Sequence, residues 1–334
     1  MNSQPIATAD PIDAVITWVD GNDPAWRARR DSYLHGGEDR HDDVAGATRY
    51  ASVGEIYLCV ASINRYAPFV RRIYIVTDRQ VPPHLDAFLQ HNFPDGHIPC
   101  EIVDHSVIFA GYEQHLPIFN SRAIETLLWR IPGLSERYLY FNDDVMLLSP
   151  VTEDHFFTPD GTCCYGRPYS TLLACTLHAL KPRRDGHKPM GYKVSLMHAM
   201  RYTGRQRQFL FLYHAPVALR RSRFEQVFQQ YPEALETNIA QRFRHTSQFN
   251  PQELYCLTEH RQGRCTVNTA YDHVFYFKPH GSRRYTERKL RTLRTTQALF
   301  GCVNSLDQAS PDTRERILQA LAERIGCQFY TEKQ

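Results

Sequence analysis

The chain has 334 residues, of which 42% are hydrophobic and 22% are charged, and its formal net charge is +3. This composition is ordinary for a globular protein and excludes a disordered, collagen-like or coiled-coil chain. The small positive charge gives no reason to expect nucleic acid as the partner. The longest strongly apolar stretch, residues 209–219, is about half as long as a membrane span, so no transmembrane helix is predicted.

The N-terminus and the cysteines favour a cytoplasmic protein. The first residues contain neither a basic segment nor an apolar segment, which predicts that no secretory signal is present. The nine cysteines are scattered and contain no CxxC pair, which disfavours a zinc ribbon or a redox motif. Most of them are interpreted as small buried hydrophobes in a reducing compartment, with a disulfide framework as the alternative.

Strand-like and helix-like segments alternate through the first half of the chain. Apolar, β-rich runs predict strands over residues 12–19, 71–77, 101–103 and 138–141. Apolar residues at helical spacing predict helices over residues 53–63, 82–89 and 124–131. This alternation favours a mostly parallel sheet with helices on both faces.

Three of the predicted strands end in acidic residues, namely Asp20, Asp78 and the pair Asp143-Asp144. The carboxyl ends of parallel strands lie at one edge of a sheet, where ligands bind in open α/β folds, so these acids are expected to converge. Carboxylate oxygens are preferred ligands of Mg²⁺ and Mn²⁺, and the pattern therefore favours a metal-assisted site. Capping of a helix or turn is the alternative for any single Asp.

Several common cofactor and nucleophile motifs do not occur in the sequence. No GxGxxG follows a predicted strand, and no GxxxxGK[ST] occurs, which disfavours a Rossmann dehydrogenase and a P-loop NTPase. The GxSxG elbow does not occur either, which disfavours an α/β-hydrolase.

The middle of the chain, residues 158–208, is rich in Gly, Pro and basic residues and is predicted to be an insertion or lid over the sheet. Its charge fits an electropositive surface for an anionic acceptor and, equally well, a solvated face. A second basic stretch, residues 283–294, favours a solvated helix face, with an anionic polymer or a membrane surface as the alternative contact.

The second half contains two further strand and helix signals. Residues 209–213 are predicted to form a strand that leads into His214, and residues 220–231 a helix. The two arginines of Arg242-Phe243-Arg244 would lie on one side of an extended segment.

The C-terminal segment has the signals of a complete helix. Ser310 is predicted as its N-cap, Pro311 as its first residue and Gly326 as its C-cap. Apolar residues within it are expected to pack on the sheet, with an amphipathic membrane anchor as the alternative.

Four segments, in order along most of the chain, resemble the conserved regions of the Stealth family. Residues 12–24 read IDAVITWVDGNDP, and they resemble the first region. Residues 49–80, together with residues 116–146 that contain FNDDVM, resemble the remainder of the first two regions. The segment from His214-Ala215-Pro216 to Phe243-Arg244 resembles the third region, and Cys302-Val303-Asn304 resembles the fourth.

This resemblance implies a GT-A-like (Rossmann-like) α/β fold with a mostly parallel sheet flanked by helices, a basic insertion and a C-terminal helix. It implies one catalytic domain, residues 1–334. Within it, residues 1–157 are expected to be the half that binds the nucleotide sugar, residues 158–208 the insertion, and residues 209–334 the remainder of the core.

The implied activity is sugar-1-phosphate transfer in bacterial capsular or exopolysaccharide synthesis. A hydroxyl of a glycan acceptor attacks the sugar-linked phosphorus of a UDP-sugar such as UDP-GlcNAc, UMP leaves, and a phosphodiester forms. The enzyme is expected in the cytoplasm, with the inner face of the membrane as a further location.

The resemblance also implies roles for individual residues. Asp143, Asp144 and Asn304 are implied to hold Mg²⁺ or Mn²⁺, although Ser305 stands where the family usually has an Asp. The implied catalytic residues are Asp144, His214 as the base for the acceptor hydroxyl, Arg244 on the diphosphate, and Glu125, which acts as an acid or positions the sugar or His214. The residues implied to bind the nucleotide sugar are Thr17, Trp18, Asp20, Gly21, Thr77, Asp78 and Gln80.

Two other functions remain as alternatives. An ordinary GT-A glycosyltransferase would share the fold, the acids and the donor but would release UDP. A non-enzymatic protein would bind a polyanion through residues 181–207 and 283–294, although the acidic strand ends would then repel the ligand.

Overall fold

The computed structural model describes residues 10–34, 50–180, 192–204, 207–279 and 282–329. The strands in these ranges are β1 (Ile12–Thr17), β2 (Val70–Thr77), β3 (Cys100–Asp104), β4 (Arg137–Asn142), β5 (Val145–Leu147), β6 (Phe157–Thr158), β7 (Gly161–Ser170), β8 (Gln208–Leu212), β9 (Val217–Arg220), β10 (Cys265–Asn268), β11 (Val274–Phe277) and β12 (Phe300–Val303). The helices are α1 (Pro24–Ser32), α2 (Glu55–Tyr66), α3 (Leu85–Asn92), α4 (His105–Ile108), α5 (Ser121–Thr126), α6 (Thr171–Ala179), α7 (Tyr192–Thr203), α8 (Arg221–Gln230), α9 (Pro232–Ile239), α10 (Pro251–Arg261), α11 (Arg283–Thr295) and α12 (Pro311–Ile325).

The central sheet has the strand order β3-β2-β1-β4-β9. Its first four strands are parallel, and β9 runs antiparallel to β4 at the edge. The prediction of an α/β fold with a mostly parallel sheet is therefore confirmed. Thr17 pairs with both Val76 and Asn142, so the segments after β1, β2 and β4 leave the sheet side by side at one edge.

The apolar residues of β1 are distributed over both faces of this sheet, as expected of a strand covered on both sides. Ala14 and Ile16 belong to one hydrophobic cluster, which also contains the buried face of α2. Val15 belongs to a second cluster, which includes residues of α5 and α10. The two clusters fix the sheet between layers of helices and leave its carboxyl edge available for a site.

Two smaller sheets extend the fold. In the first, β7 pairs with β6, β8 and β10. In the second, β12 lies between β11 and β5. Cys302 pairs with Val145, which brings the end of β12 next to the turn that joins β4 to β5. This pairing places Asn304, the residue after β12, beside Asp144.

The prediction of a helix over residues 124–131 was wrong in its extent. The α-helix α5 ends at Thr126, and a 3-10 turn over Leu128–Arg130 follows. At this point the buried Thr126 hydroxyl accepts from the side chain of Asn238, a tertiary contact that sequence periodicity does not indicate.

Residues 158–208 are more regular than the predicted insertion. The strand β7 crosses this segment and joins one of the smaller sheets, and α6 and α7 come after it. Several of the basic residues on which the prediction depended lie outside the described part of the chain: Lys181, Arg183, Arg184, Lys188 and Arg205. The division of the domain at residues 157 and 208 stays a prediction.

The C-terminal helix α12 has the predicted bounds. The hydroxyl of Ser310 accepts from the backbone N–H of Thr313, and Gly326 ends the helix at a φ of 78°. The helix packs on α2 and α11, and thus reaches the sheet through α2. The carbonyl of Arg324 accepts from the hydroxyl of Tyr66, which fixes this contact.

Candidate active site

A cavity of about 720 Å³ opens at the carboxyl edge of the central sheet. Residues after β1, β4, β8 and β12 form its wall, together with residues of α5 and α7. Nine predicted site residues lie on this wall: Thr17, Trp18, Asp78, Glu125, Asp143, Asp144, His214, Arg244 and Asn304. The other four, Asp20, Gly21, Thr77 and Gln80, are not among its lining residues.

The acidic pair after β4 meets the residue that comes directly after β12. The amide Nδ2 of Asn304 donates to Oδ2 of Asp144 over 3.2 Å, and the same oxygen lies 3.6 Å from the Cys302 thiol. The Ser305 hydroxyl donates to Oδ1 of Asn304 over 3.0 Å. Ser305 thus orients the asparagine amide, which is a different task from the ligand or base role of an Asp at this position.

Two further acids line the same wall, Glu55 and Asp307, and sequence reasoning missed both. Burial raises the pKa of Glu55 to about 7, and the charges of Asp144 and Asp307 act in the same direction. Burial also raises the pKa of Asp143 well above its usual value, with contributions from Asp144 and Glu55. The like charges of these acids thus add to the effect of burial. A bound cation would stabilise their ionised forms.

This donor set fits a hard divalent cation. Asp143 and Asp144 offer carboxylate oxygens and Asn304 an amide oxygen, which are ligand types of Mg²⁺ and Mn²⁺. The mutual repulsion of the acids is the observation that favours such an ion, because a cation would offset it.

His214 lies after β8 and is held between two tyrosine rings. Its ring centroid lies 5.4 Å from that of Tyr192 and 4.9 Å from that of Tyr276, and both rings are nearly parallel to it. Burial lowers the pKa of His214 below its ordinary value, while the charge of Asp144 acts in the opposite direction. The imidazole is therefore neutral near pH 7 and able to accept a proton.

Glu125 lies on α5, opposite the end of β1, and only 5% of it is exposed. Burial raises the pKa of the Tyr140 phenol well above its usual value, and the charge of Glu125 adds to this effect. The same phenol lies 3.0 Å from the Thr17 hydroxyl and donates to Oδ1 of Asn142. Tyr140 thus places Thr17 and Glu125 on one side of the cavity.

Arg244 reaches the wall from a loop that is fixed by its neighbours. The Nη2 of Arg244 donates to Oγ of Ser121 over 3.1 Å. Phe243 stacks on Phe119 with ring centroids 5.4 Å apart, and its carbonyl accepts from the side chain of Asn120. These contacts hold the Arg244 guanidinium at the start of α5.

Arg242 has a different environment from Arg244. Its guanidinium donates to the carbonyls of Leu116 and Pro117 and lies over the ring of Tyr33. It is not one of the residues that line the cavity. The sequence did not distinguish the two arginines. Their hydrogen bonds do, because Arg244 lies on the cavity wall and Arg242 holds the loop in place.

Asp78 ties α1 to the end of β2. Its Oδ2 accepts from the indole N–H of Trp26 over 3.0 Å and from Nη2 of Arg29 over 2.5 Å. Asp78 is 6% exposed and lines the cavity. Its charge is compensated by Arg29, so Asp78 is not a further acid of the Asp144 cluster, which consists of Asp143, Asp144, Glu55 and Asp307.

The remaining predicted residues of the TWVDG segment shape the loop after β1. Gln80 exchanges two hydrogen bonds with the backbone of Asp20, at 2.9 and 3.0 Å. A Cβ at Gly21 would lie 2.4 Å from the carbonyl oxygen of Tyr50, so only glycine fits there. Trp18 is buried, lines the cavity and donates to the Ser52 hydroxyl. Binding of a nucleotide by Asp20, Gly21, Thr77 and Gln80 stays a prediction.

Two buried polar side chains on the wall, Ser195 and Gln252, were missed by sequence reasoning. They are 0% and 2% exposed. Within the described ranges, the Ser195 hydroxyl and both polar atoms of the Gln252 amide have no hydrogen-bond partner. Because a buried polar group without a partner costs about 1–3 kcal/mol, both groups favour a polar ligand in the cavity.

A second cavity of about 640 Å³ adjoins the first. It shares His214 and three tyrosines with the first cavity, and its further lining includes Phe211 and Tyr271. Tyr271 is 58% exposed and meets Tyr213 edge to face. His214 is therefore accessible from two cavities of different character, one rich in acids and one rich in aromatic rings.

None of the helices in the described ranges combines the length and the apolar character that a bilayer span requires.

Comparisons with known proteins agree with the quoted segments that resemble the first two conserved regions, and the resemblance to the third and fourth regions stays a prediction. Residues 10–38 match the family model for Stealth protein CR1, conserved region 1. Residues 49–165 match the family model for Stealth protein CR2, conserved region 2.

Relatives with curated names are polysaccharide phosphotransferases. The chain is 40% identical over 256 residues to an exopolysaccharide phosphotransferase of Streptomyces coelicolor, which covers 76% of this chain and 41% of the relative. It is 30% identical over 262 residues to the receptor polysaccharide phosphotransferase WefC of Streptococcus oralis, which covers 72% of this chain and 75% of the relative. The chain thus spans about two fifths of the Streptomyces relative and three quarters of the Streptococcus relative.

Two glycosyltransferases are among the solved structures that align with most of this chain. The galactosyltransferase LgtC aligns with 96% of this chain and 98% of its own, at a TM-score of 0.45 and 12% identity. Mouse xyloside xylosyltransferase 1 aligns with 90% of this chain and all of its own, at a TM-score of 0.42 and 7% identity.

Proposed function

The chain belongs to the Stealth family, and from this premise we propose that it transfers hexose 1-phosphate from a UDP-sugar to a hydroxyl of a glycan, with release of UMP. The observation that supports the proposal most strongly is the convergence of the Asp144 cluster, Arg244 and His214 on one cavity. Phosphoryl transfer requires cationic groups at the phosphates and a base at the nucleophile, and this wall offers both. The experiment that tests the proposal is identification of the released nucleotide, UMP or UDP.

Asp143, Asp144 and Asn304 would hold Mg²⁺ or Mn²⁺. When bound, the ion would neutralise charge on the diphosphate and on the departing UMP. Arg244 would bind phosphate oxygens with its planar fork. Thr17, Trp18 and Asp78, at the ends of β1 and β2, would line the nucleotide end of the donor site, and Gln252 and Ser195 would bind hydroxyl or amide groups of the sugar.

His214 would accept the proton of the attacking hydroxyl at a ring nitrogen. The new bond joins the acceptor oxygen to the sugar-linked phosphorus, and the bond between that phosphorus and the UMP oxygen breaks. Glu125, near Tyr140 and Thr17, is placed to position the sugar. The acceptor would approach His214 through the aromatic second cavity, because sugar rings stack on tyrosine faces.

The proposed partners are a UDP-sugar donor and a glycan acceptor. We place the reaction in the cytoplasm, with peripheral contact to the inner membrane face as an additional feature. None of the nine cysteines, all of which lie in the described ranges, forms a disulfide, a state that a reducing compartment maintains.

Arg244→Lys is expected to lower kcat/KM for the UDP-sugar by about tenfold to a hundredfold. Lysine keeps the positive charge but cannot offer two parallel N–H groups to phosphate oxygens. Arg242→Lys is the matched control from the same loop, because Arg242 anchors carbonyls outside the cavity. Steady-state kinetics with both variants provide the measurement, and a normal kcat/KM for Arg244→Lys would remove this residue from the phosphate site.

Tyr271→Ala is expected to raise the acceptor KM by about threefold to tenfold and to leave the donor KM unchanged. The exposed ring of Tyr271 lies on the wall of the second cavity, where a sugar ring would stack. Tyr271→Phe retains the ring and should behave like the wild type. An effect on the donor KM instead would show that the acceptor does not enter by this route.

The pH profile of kcat/KM is expected to have an acidic limb below about pH 6.5, the ordinary pKa of histidine. A base acts only when it is unprotonated, so activity falls as pH falls through its pKa. Because burial lowers the pKa of His214, the profile should stay flat at neutral pH and decline only at more acidic pH. An acidic limb that His214→Ala retains in full would contradict the assignment of His214 as the base, because the buried acids Glu55 and Asp143 would then account for it.

A further inference from the structure

A cluster of three buried cysteines lies outside the active-site cavity. Cys164 is in β7, Cys265 is in the neighbouring parallel strand β10, and Cys256 is in α10, which packs on both β10 and β8. Their exposed fractions are 2%, 4% and 0%. The three sulfur atoms lie within 4.8 Å of one another. Three elements from distant parts of the chain thus point thiols at one place in the interior.

The spacing of these sulfurs is close to that of a thiolate metal site. A tetrahedral Zn²⁺ site has Zn–S bonds of about 2.3 Å, which places its sulfurs about 3.8 Å apart. The observed cluster therefore needs only a small contraction to hold an ion. Packing as separate small hydrophobes does not require three sulfurs to lie this close together.

A buried carboxyl group also lies on α10. Glu253, one turn before Cys256, is 0% exposed. One of its oxygens accepts from the Leu210 N–H, and the other has no partner among the described residues.

We propose that Cys164, Cys256 and Cys265 form a structural site for a thiophilic divalent ion of the Zn²⁺ class, with the fourth position completed by water. The ion would join β7, β10 and α10. Because α10 also carries Gln252 on the cavity wall, the ion would stabilise one wall of the active site without taking part in the reaction. The three residues have no motif spacing, so no local sequence pattern indicates the site.

The test uses the full chain without an affinity tag, purified under reducing conditions. Its metal content is measured by mass spectrometry, and Cd²⁺ is then supplied in place of the native ion during refolding. The expected results are one Zn²⁺ per chain as purified and one Cd²⁺ per chain with a thiolate charge-transfer band. Removal of the ion by a chelator should lower the melting temperature, and Zn²⁺ should restore it.

The variant Cys265→Ser should lose the Cd²⁺ band. Cys327→Ser is the matched control, because Cys327 is also buried but lies after α12 and outside the cluster, and this variant should retain the band. A folded wild-type chain that holds no stoichiometric metal and gives no Cd²⁺ band would overturn the proposal. A disulfide between two of the three cysteines in the reduced preparation would overturn it as well. Both results come from the wild-type chain and do not depend on the folding of a variant.

Discussion

Asp144→Asn is expected to lower kcat by at least about a hundredfold. Asp144 connects the segment after β4 to the end of β12, because its Oδ2 accepts from the Asn304 amide and lies beside the Cys302 thiol. An amide at this position would remove one negative charge from the cluster and weaken its hold on a divalent cation. Loss of the cation would leave charge on the phosphates and on the departing UMP without compensation.

The measurement is kcat over a series of Mg²⁺ and Mn²⁺ concentrations. The activity of Asp144→Asn should recover in part at high metal concentration if the defect is weaker binding of the ion. Asp95→Asn is the matched control, because Asp95 is an exposed residue in the loop after α3. Near-normal activity of Asp144→Asn at low metal concentration would mean that this carboxylate does not hold the ion.

His214→Ala is expected to lower kcat by about a hundredfold to ten-thousandfold, the usual range for the loss of a general base. The UDP-sugar should still bind with nearly unchanged affinity, since His214 would act on the acceptor hydroxyl and not on the nucleotide. Calorimetry of donor binding and steady-state kinetics separate these two effects. The acidic limb of the pH profile should also disappear, a change that a purely structural defect would not cause.

His97→Ala is the matched control for this variant, because His97 is exposed in the loop before β3. Added imidazole should restore part of the His214→Ala activity, since the variant leaves space between the rings of Tyr192 and Tyr276. Loss of donor binding with little change in kcat would identify His214 as a binding residue instead of the base.

The sequence predicted those parts of the site that come directly after a strand. Asp144 and Asp78 each lie just beyond an apolar, β-rich run, and parallel strands bring the residues at their carboxyl ends to one edge of the sheet. Asn304 and Arg244 were accessible only through the resemblance to the family, because no local pattern distinguishes them. Arg242 shows the limit of prediction from sequence, since it has the same sequence context as Arg244 but a different environment.

The residues that sequence reasoning missed can be recognised only from their burial and from the distances between their side chains. Glu55 is the first residue of a helix, where an acid is expected merely to complement the helix dipole. Ser195 and Gln252 are ordinary polar residues in helices, and only their lack of partners in a buried wall makes them informative among the described residues. The cysteine cluster joins two strands of a parallel pair to a helix, a proximity that depends on the sheet order and not on spacing.

The end of the predicted helix over residues 124–131 was also set by a tertiary effect. Thr126 is fully buried, and its hydroxyl serves both the carbonyl of Arg122 and the side chain of Asn238. The apolar residues keep their helical spacing past Thr126, but the α-helix ends there. Periodicity therefore identified the buried face correctly and gave the wrong helix length.

The identity of the nucleotide released in step with acceptor growth tests the central claim most directly. Purified protein would be incubated with Mg²⁺ or Mn²⁺, a panel of UDP-hexoses that includes UDP-GlcNAc, and an oligosaccharide acceptor. The nucleotides would then be separated and the glycan product measured by ³¹P NMR, with Asp144→Asn as the inactive control. Our account predicts UMP and a phosphodiester in the product, in equal amounts. Release of UDP with a product that contains no phosphorus would contradict it and would identify the chain as a glycosyltransferase.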